Sequence, residues 1–176
     1  MAEPKTQANT RFITWMVVAL AIIAADQLTK WAIIEWVSLY EKVPLNSFIN
    51  LTHQRNTGAA FSFLADAGGW QRWFFVTLSA VVSCVIVVWL WRIRDQGQTV
   101  LAAGLALVLG GAVGNLIDRI MLGYVTDFIQ VWFGNWAFPS FNIADAGLTV
   151  GAALLIIDAL FFSGSEEEPK PTNQTE

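Results

Sequence analysis

The sequence predicts an all-α polytopic membrane protein with four transmembrane helices and a small extracytoplasmic β-structure formed by the first outer loop. Two observations support this prediction. The chain of 176 residues is 55% hydrophobic and 14% charged, whereas an average soluble domain is about 45–50% apolar and about 25% charged. Its apolar residues are also gathered into four long stretches, and most of the charged residues lie in the segments between them.

Three of the four stretches are long enough to cross a bilayer. Residues 73–91 contain no charge, and a helix of this length spans a hydrocarbon core of about 30 Å at about 1.5 Å per residue. Residues 100–117 are also uncharged, and residues 146–162 are interrupted only by Asp158. We expect a transmembrane helix at each stretch.

The first stretch, residues 12–34, has two interpretations because Asp26 and Lys30 interrupt it. Lys5 and Arg11 in front of an apolar run are typical of a cleaved secretory signal peptide. The acid and the base are, however, spaced i,i+4, so they can pair on one face and allow the helix to continue to about residue 34. The second interpretation is favoured, which predicts a retained first helix.

Four spans place both termini on the same side of the membrane. Arg92 and Arg94 lie in the short 92–99 connection, whereas the basic residues of the other side are spread over two long loops and two helix ends. The positive-inside rule therefore predicts cytoplasmic N- and C-termini.

The two connections on the other side carry patterns of their own. Residues 43–64 mix β-formers with turn residues and predict short strands, and Gly134-Asn135 between aromatic runs in residues 128–141 predicts a hairpin-like turn. We expect one integral membrane domain over residues 1–162 and a disordered acidic cytoplasmic tail over residues 163–176.

Charge balance and residue usage exclude several classes of function. Ten Lys and Arg against fourteen Asp and Glu give a net charge of −4, so there is no basic surface for nucleic acid. The single cysteine, Cys84, cannot form an internal disulfide, and the single histidine, His53, cannot form a multi-histidine zinc site. We expect His53 to be a surface loop residue. We predict no metal, no cofactor and no nucleic-acid partner.

Polar residues at the ends of the spans suggest a site near the outer face. An ionisable group at membrane depth costs about 2.5–3.5 kcal/mol on insertion scales, so it usually faces a cavity or a partner. The predicted topology puts eight charged or amide side chains in one layer near the outer face: Asp26, Lys30, Asn115, Asp118, Arg119, Asp127, Asn142 and Asp145.

Glycine spacing predicts that the third and fourth spans pack closely. Gly110 and Gly114 are four positions apart, as are Gly147 and Gly151, and this small-xxx-small spacing permits close backbone approach. Such packing would bring the loop and helix ends that carry Asp127 and Asp145 together. Because two crowded carboxyl groups cannot both ionise, one can activate a water while the other donates a hydrogen bond to the carbonyl under attack.

Each of these residues also has a purely structural interpretation. Two acid–base sets, Asp26 with Lys30 and Asp118 with Arg119, can be ion pairs or headgroup-level anchors. This structural explanation is as good as a direct functional role. Asn142 and Asp145 have the spacing of a helix N-cap and its third residue. The alternative functions are a small transporter or proton-conducting subunit and a structural membrane subunit. A pore, however, would need polar residues through its full depth.

Four sequence blocks resemble the bacterial lipoprotein signal peptidases, the type II signal peptidases. The resemblance covers the chain from about residue 12 to residue 162. The blocks are Asp26-Gln27-Leu28-Thr29-Lys30, Asn56-Thr57-Gly58-Ala59-Ala60-Phe61, the run from Gly110 to Arg119 with Val125-Thr126-Asp127-Phe128, and Phe141-Asn142-Ile143-Ala144-Asp145. Thr29 and Ala146 depart slightly from the family pattern.

The resemblance implies an aspartyl endopeptidase with a catalytic dyad at Asp127 and Asp145. It implies that the site is supported by Asn56, Gly58, Asn115, Arg119 and Asn142, and that Asp26, Lys30 and Asp118 give structural polar support. The substrates implied are diacylglyceryl-modified prolipoproteins, cut just before the lipidated cysteine, with membrane lipids as the surroundings. The expected location is the bacterial cytoplasmic (inner) membrane, with the active site near the outer face, and we expect a monomer.

Overall fold

The computed structural model describes residues 5–58 and 69–162, and in this part of the chain four long helices support a small sheet. The helices are α1 (Lys5–Trp36), α2 (Trp70–Arg92), α3 (Thr99–Met121) and α4 (Ile143–Phe161). All four are long and apolar enough to cross a membrane. Each helix contains most of one predicted stretch, and the helices differ from the predicted bounds by up to seven residues, the largest difference being at the start of α1. The predicted acidic tail and the end of the first predicted β-region, residues 59–64, lie outside the described residues.

Helix α3 is the centre of the bundle, and it packs against α1, α2 and α4, most extensively against α4. Glycines permit this approach. A Cβ at Gly104 would lie 2.9 Å from a Leu155 methyl, and one at Gly111 would collide with the Ala144 carbonyl oxygen. The close packing of α3 on α4 is therefore as predicted, but Gly110 serves a different contact: its backbone lies against Ile22 of α1.

The sheet is built from both connections on one side of the bundle. Its strands are β1 (Lys42–Pro44), β2 (Ile49–Asn56), β3 (Val125–Phe133) and β4 (Trp136–Ala137), paired antiparallel in the order β1-β2-β3-β4. The prediction assigned the β-structure to the first outer loop, whereas the longest strand, β3, comes from the α3–α4 connection. Two short strands alone are marginally stable, and pairing with β3 supplies the third strand that a sheet needs.

Two local predictions about the α3–α4 connection and the first loop have opposite outcomes. Gly134 adopts a φ of +62° in the turn between β3 and β4, so the predicted hairpin turn is confirmed. His53, expected on a surface loop, is instead buried in β2, where Nδ1 lies 3.0 Å from the Val37 carbonyl oxygen. The strand places His53 against the end of α1, which explains its burial.

Candidate active site

Asp127 and Asp145 are brought together by the way β3 leads into α4. Asp127 lies on β3 with only 4% of its surface exposed, and Asp145 lies in the first turn of α4. Phe141 returns the chain to β3 by pairing with Ile129, so α4 begins directly beside the strand. The two carboxyl groups are eighteen positions apart in sequence and share one corner of the structure.

Asn142 joins the two carboxyl groups. Its side-chain Nδ2 donates to Asp127 Oδ1 at 2.8 Å, and its backbone N–H donates to Asp145 Oδ2 at 3.1 Å. The Asp145 N–H donates back to Asn142 Oδ1 at 2.9 Å, which completes a capping box. The helix-cap interpretation is thus confirmed, and the same cap holds Asp127 beside Asp145.

Two further asparagines fix the remaining carboxylate oxygens. Asn56 Nδ2 donates to Asp127 Oδ2 at 3.0 Å, and Asn115 Nδ2 donates to Asp145 Oδ1 at 2.8 Å. Each carboxyl group therefore accepts hydrogen bonds at both oxygens. Because β2, β3, α3 and α4 all contribute, the pair is held by rigid elements rather than by mobile loops.

The surroundings raise the pKa of Asp127 from its ordinary value to about 7. Burial is the main cause, and the negative charge of Asp145 adds to it. Hydrogen bonds from Asn56 and Asn142 and the positive charge of Lys30 act in the opposite direction. Asp127 therefore remains protonated at a pH at which an exposed aspartate is fully ionised.

Lys30 lies at the centre of a buried ionic cluster behind the pair. Its Nζ is 2.8 Å from Asp26 Oδ2, 3.1 Å from Asp118 Oδ2 and 3.0 Å from Asn115 Oδ1. The pair predicted from the i,i+4 spacing of Asp26 and Lys30 is confirmed. Asp118 takes Lys30 as its cation rather than its neighbour Arg119, because adjacent side chains on a helix diverge.

The same cluster anchors the backbone on which the candidate site is built. Asp26 Oδ1 accepts from the Ala144 N–H at 2.9 Å, and Asp118 Oδ2 accepts from the Thr126 N–H at 2.9 Å. The first contact holds the start of α4, and the second holds β3 next to Asp127. The cluster thus connects α1 and α3 to both carboxyl-bearing elements.

Arg119 and Gly58 meet at the edge of the site. The Arg119 guanidinium donates to the Gly58 carbonyl at 3.2 Å and to the Asn115 carbonyl at 3.3 Å. It also lies 5.0 Å from the ring centre of Phe75. The Gly58 N–H donates to Asn56 Oδ1 at 3.0 Å, so one asparagine holds both this turn and Asp127.

Sequence reasoning missed two residues that support this arrangement. Gln27 donates to Asp118 Oδ1 at 2.9 Å and to the Gly114 carbonyl at 3.1 Å. Arg72 donates from α2 to the carbonyls of Arg119 and Ile120 at 2.8 and 2.9 Å, at the end of α3. The signal for Gln27 was its place between Asp26 and Lys30, whereas nothing local in the sequence marks Arg72.

A cavity of about 980 Å³ opens directly onto the two carboxyl groups. Its lining combines polar residues of β2 and α3 with residues of α4 and the preceding segment, several of which are apolar. The residues that line it include Gln54, Asn56, Asn115, Arg119, Asp127, Phe138, Phe141, Asp145, Leu148 and Val150.

Fold and site define a polytopic membrane protein with a paired-carboxylate site at one end of its helix bundle. The chain belongs to the signal peptidase II family, because the family model described as "Signal peptidase (SPase) II" matches residues 18–161. The family resemblance seen in the four sequence blocks is thereby confirmed. The protein is therefore a member of a family of peptidases.

Curated relatives support the same assignment. A lipoprotein signal peptidase of Acinetobacter baumannii is 48% identical over 161 residues, which cover 92% of this chain and 89% of the relative. A lipoprotein signal peptidase of Ectopseudomonas mendocina is 48% identical over 164 residues, which cover 91% and 96%.

Solved structures show the same fold. A bacterial membrane enzyme determined by the in meso method at 2.3 Å resolution superposes with a TM-score of 0.78 at 30% identity, over 89% of this chain and 93% of that chain. A second structure, described as a bacterial membrane enzyme at 1.9 Å resolution, gives a TM-score of 0.73 at 31% identity. Both comparisons agree with a multi-pass membrane protein.

Proposed function

We propose that the protein is a membrane aspartyl endopeptidase that removes the signal peptide from diacylglyceryl-modified prolipoproteins by cutting just before the lipidated cysteine. One observation carries the proposal. Asp127 and Asp145, joined through Asn142, face a cavity lined by both polar and apolar side chains. Membership of a family of lipoprotein signal peptidases supplies the substrate class.

The proposed chemistry uses one proton shared by the two carboxyl groups. Asp127, whose pKa is raised to about 7, holds the proton and donates it toward the substrate carbonyl oxygen. Asp145 accepts a proton from water as the water oxygen bonds to the carbonyl carbon. The tetrahedral intermediate then collapses: one of its hydroxyl groups returns a proton to Asp127 as the carbonyl re-forms, the C–N bond breaks, and the leaving amine nitrogen takes up the proton that Asp145 received. Each step conserves charge and atoms without a covalent enzyme intermediate.

The asparagines act in this mechanism by positioning the carboxyl groups. The Nδ2 groups of Asn56, Asn115 and Asn142 all point at the dyad, so these donors are already occupied before a peptide binds. Preorganised donors cost little rearrangement during the reaction. Arg119, which lines the cavity, is proposed to hold polar backbone groups of the substrate.

A proton-conducting channel fits the structure less well. Such a relay needs polar groups through the full depth of the membrane. Between Asp145 and Asp158, helix α4 contains no ionisable residue, and in α2 no acid or base lies between Arg72 and Arg92. The buried ionic cluster lies at the same end as the sheet, as a one-sided catalytic pocket requires.

The proposed orientation puts the sheet and the dyad near the outer face of the bacterial inner membrane. The α1–α2 and α3–α4 connections meet in one sheet, so they lie on one side, opposite the connection that carries Arg94 and Asp95. Labelling of a single cysteine introduced at Asp95, in a Cys84→Ala background, tests this. Modification of that position by an impermeant reagent from outside would show the opposite orientation.

The direct test of the function is incubation of the purified protein with a synthetic diacylglyceryl-prolipoprotein peptide in lipid. We expect two products, whose masses place the cut immediately before the modified cysteine. A cut at another bond, or no cut by the folded protein, would overturn the proposed reaction.

The pH dependence of cleavage is expected to follow Asp127. Its raised pKa means that the proton needed for catalysis is present below about pH 7 and is lost above it, so kcat/KM falls as the pH rises through this value.

The raised pKa of Asp127 also affects the stability of the fold. The folded state keeps a proton that the unfolded chain releases near pH 4, so stability falls between about pH 4 and 7.

Asn56→Ala provides a matched test of this assignment. The hydrogen bond from Asn56 lowers the pKa of Asp127, so its removal is expected to move the falling limb of the profile to higher pH. Asn50→Ala, on the same strand, is the control and should leave the limb in place. A limb that stays fixed or moves to lower pH in Asn56→Ala would assign the titration to another group.

A further inference from the structure

A second groove lies between α2 and α3 at the end of the bundle opposite the dyad. It has a volume of about 850 Å³ and is lined by Cys84, Val85, Val88, Trp89, Arg92, Ile93, Gln96, Gln98 and Leu101. None of these residues lines the cavity at the carboxyl pair. The groove therefore has no part in the proposed reaction.

The groove is apolar along one part and polar at its end. The exposed apolar side chains are Val85, Val88 and Trp89 of α2, in a helix long and apolar enough to cross a membrane. Arg92 is the last residue of that helix. At about 1.5 Å per residue, the apolar part extends about 10 Å from Arg92 back to Val85. Gln96 and Gln98 add two side-chain amides beside the arginine.

Arg92 has a free positive charge in the part of the chain that the structure describes. Over residues 5–58 and 69–162, no carboxylate forms an ion pair with its guanidinium. Arg94, two positions further on, is engaged differently: its guanidinium lies 4.0 Å from the ring centre of Trp91 and donates to the Trp91 carbonyl. Of these two arginines, Arg92 is the one that lines the groove.

We propose that this groove binds an anionic phospholipid, with the phosphate at Arg92 and an acyl chain along Val85 and Val88. A guanidinium and neighbouring amide donors match the oxygens of a phosphodiester. The apolar wall at membrane depth matches the first part of a hydrocarbon chain. Basic pockets between helices at a membrane end are suited to anionic headgroups. The inference is independent of the proposed peptidase mechanism.

The single cysteine of the chain makes the proposal testable at the groove itself. Cys84 is exposed and lines the apolar end, so a bound acyl chain should shield its thiol. The experiment measures the rate of Cys84 alkylation by N-ethylmaleimide on the delipidated full-length protein in detergent. Phosphatidylglycerol is added to one sample, phosphatidylcholine with the same acyl chains to a second, and soluble glycerol phosphate to a third.

We expect phosphatidylglycerol to slow alkylation in the native protein and in Arg94→Gln. In Arg92→Gln, the phosphatidylglycerol concentration that gives half-protection should rise about fivefold, the effect expected of one arginine facing an anionic headgroup. Val88→Trp, which fills the groove and keeps Arg92, should also lose protection. This variant changes an exposed position, so it tests the groove even if Arg92→Gln folds poorly.

Several outcomes would overturn the proposal. Equal protection by phosphatidylcholine would show a general lipid contact without headgroup recognition. Equal losses in Arg92→Gln and Arg94→Gln would show that total positive charge is sensed, rather than a site at Arg92. Protection by glycerol phosphate would show an anion site that does not use the acyl chain.

Discussion

Asp127→Asn and Asp145→Asn are each expected to reduce cleavage of a lipidated prolipoprotein peptide by about 10²–10⁴-fold or more, the range that general acid–base catalysis supplies. An amide has nearly the same shape as a carboxyl group but cannot take up or release the proton that the reaction needs. The loss should therefore appear in kcat, with little change in peptide binding.

Retention of the fold must be shown for both dyad variants. In each, one acceptor oxygen is replaced by an NH₂ that faces an asparagine donor, which costs about 1–3 kcal/mol of stability. Thermal unfolding in detergent measures this cost. Asp95→Asn, an identical change at an exposed position in the α2–α3 connection, is the matched control and should retain full activity. Substantial cleavage of the lipidated peptide by either folded dyad variant would contradict the two-carboxylate mechanism.

Lys30→Met is expected to destabilise the protein by about 3–5 kcal/mol, because it leaves uncompensated charge in the interior. Its two partners, Asp26 and Asp118, are 0% and 3% exposed. The amount of inserted, folded protein should fall sharply. Lys42→Met, at an exposed position, is the matched control and should be close to the native protein.

A triple variant separates charge from shape in this cluster. Asp26→Asn/Lys30→Met/Asp118→Asn removes all three charges and keeps amide oxygens for the N–H groups of Ala144 and Thr126. It is expected to recover much of the stability lost in Lys30→Met. If Lys30→Met is instead as stable as the control but inactive, the lysine belongs to the catalytic site and its structural role is wrong.

The helices and one ion pair could be predicted because their signals are local. An uninterrupted run of apolar residues indicates a transmembrane helix, and the i,i+4 spacing of Asp26 and Lys30 is enough to predict their ion pair. The hairpin at Gly134 was likewise marked by two adjacent turn residues. In each case the residues that interact are neighbours along the chain, so a periodicity or a short motif is enough.

The rest of the site depends on contacts between distant segments. Asn142 was identifiable as a helix cap, but its contact with Asp127 requires the pairing of Phe141 with Ile129 that places α4 beside β3. The attachment of Asp118 to Lys30 likewise requires α1 to pack on α3. No periodicity within a single segment records such a contact.

We propose that the lipid anchor delivers the substrate peptide to the dyad at the membrane face. The most direct measurement compares one prolipoprotein peptide with and without its diacylglyceryl group, reconstituted in the same lipid at equal surface concentration. A buried chain contributes about 0.8 kcal/mol per CH₂ and fixes the depth of the scissile bond. We expect rapid cleavage before the modified cysteine and little or no cleavage of the unlipidated twin. Equal rates for the two peptides would contradict it and would indicate a general intramembrane aspartyl peptidase.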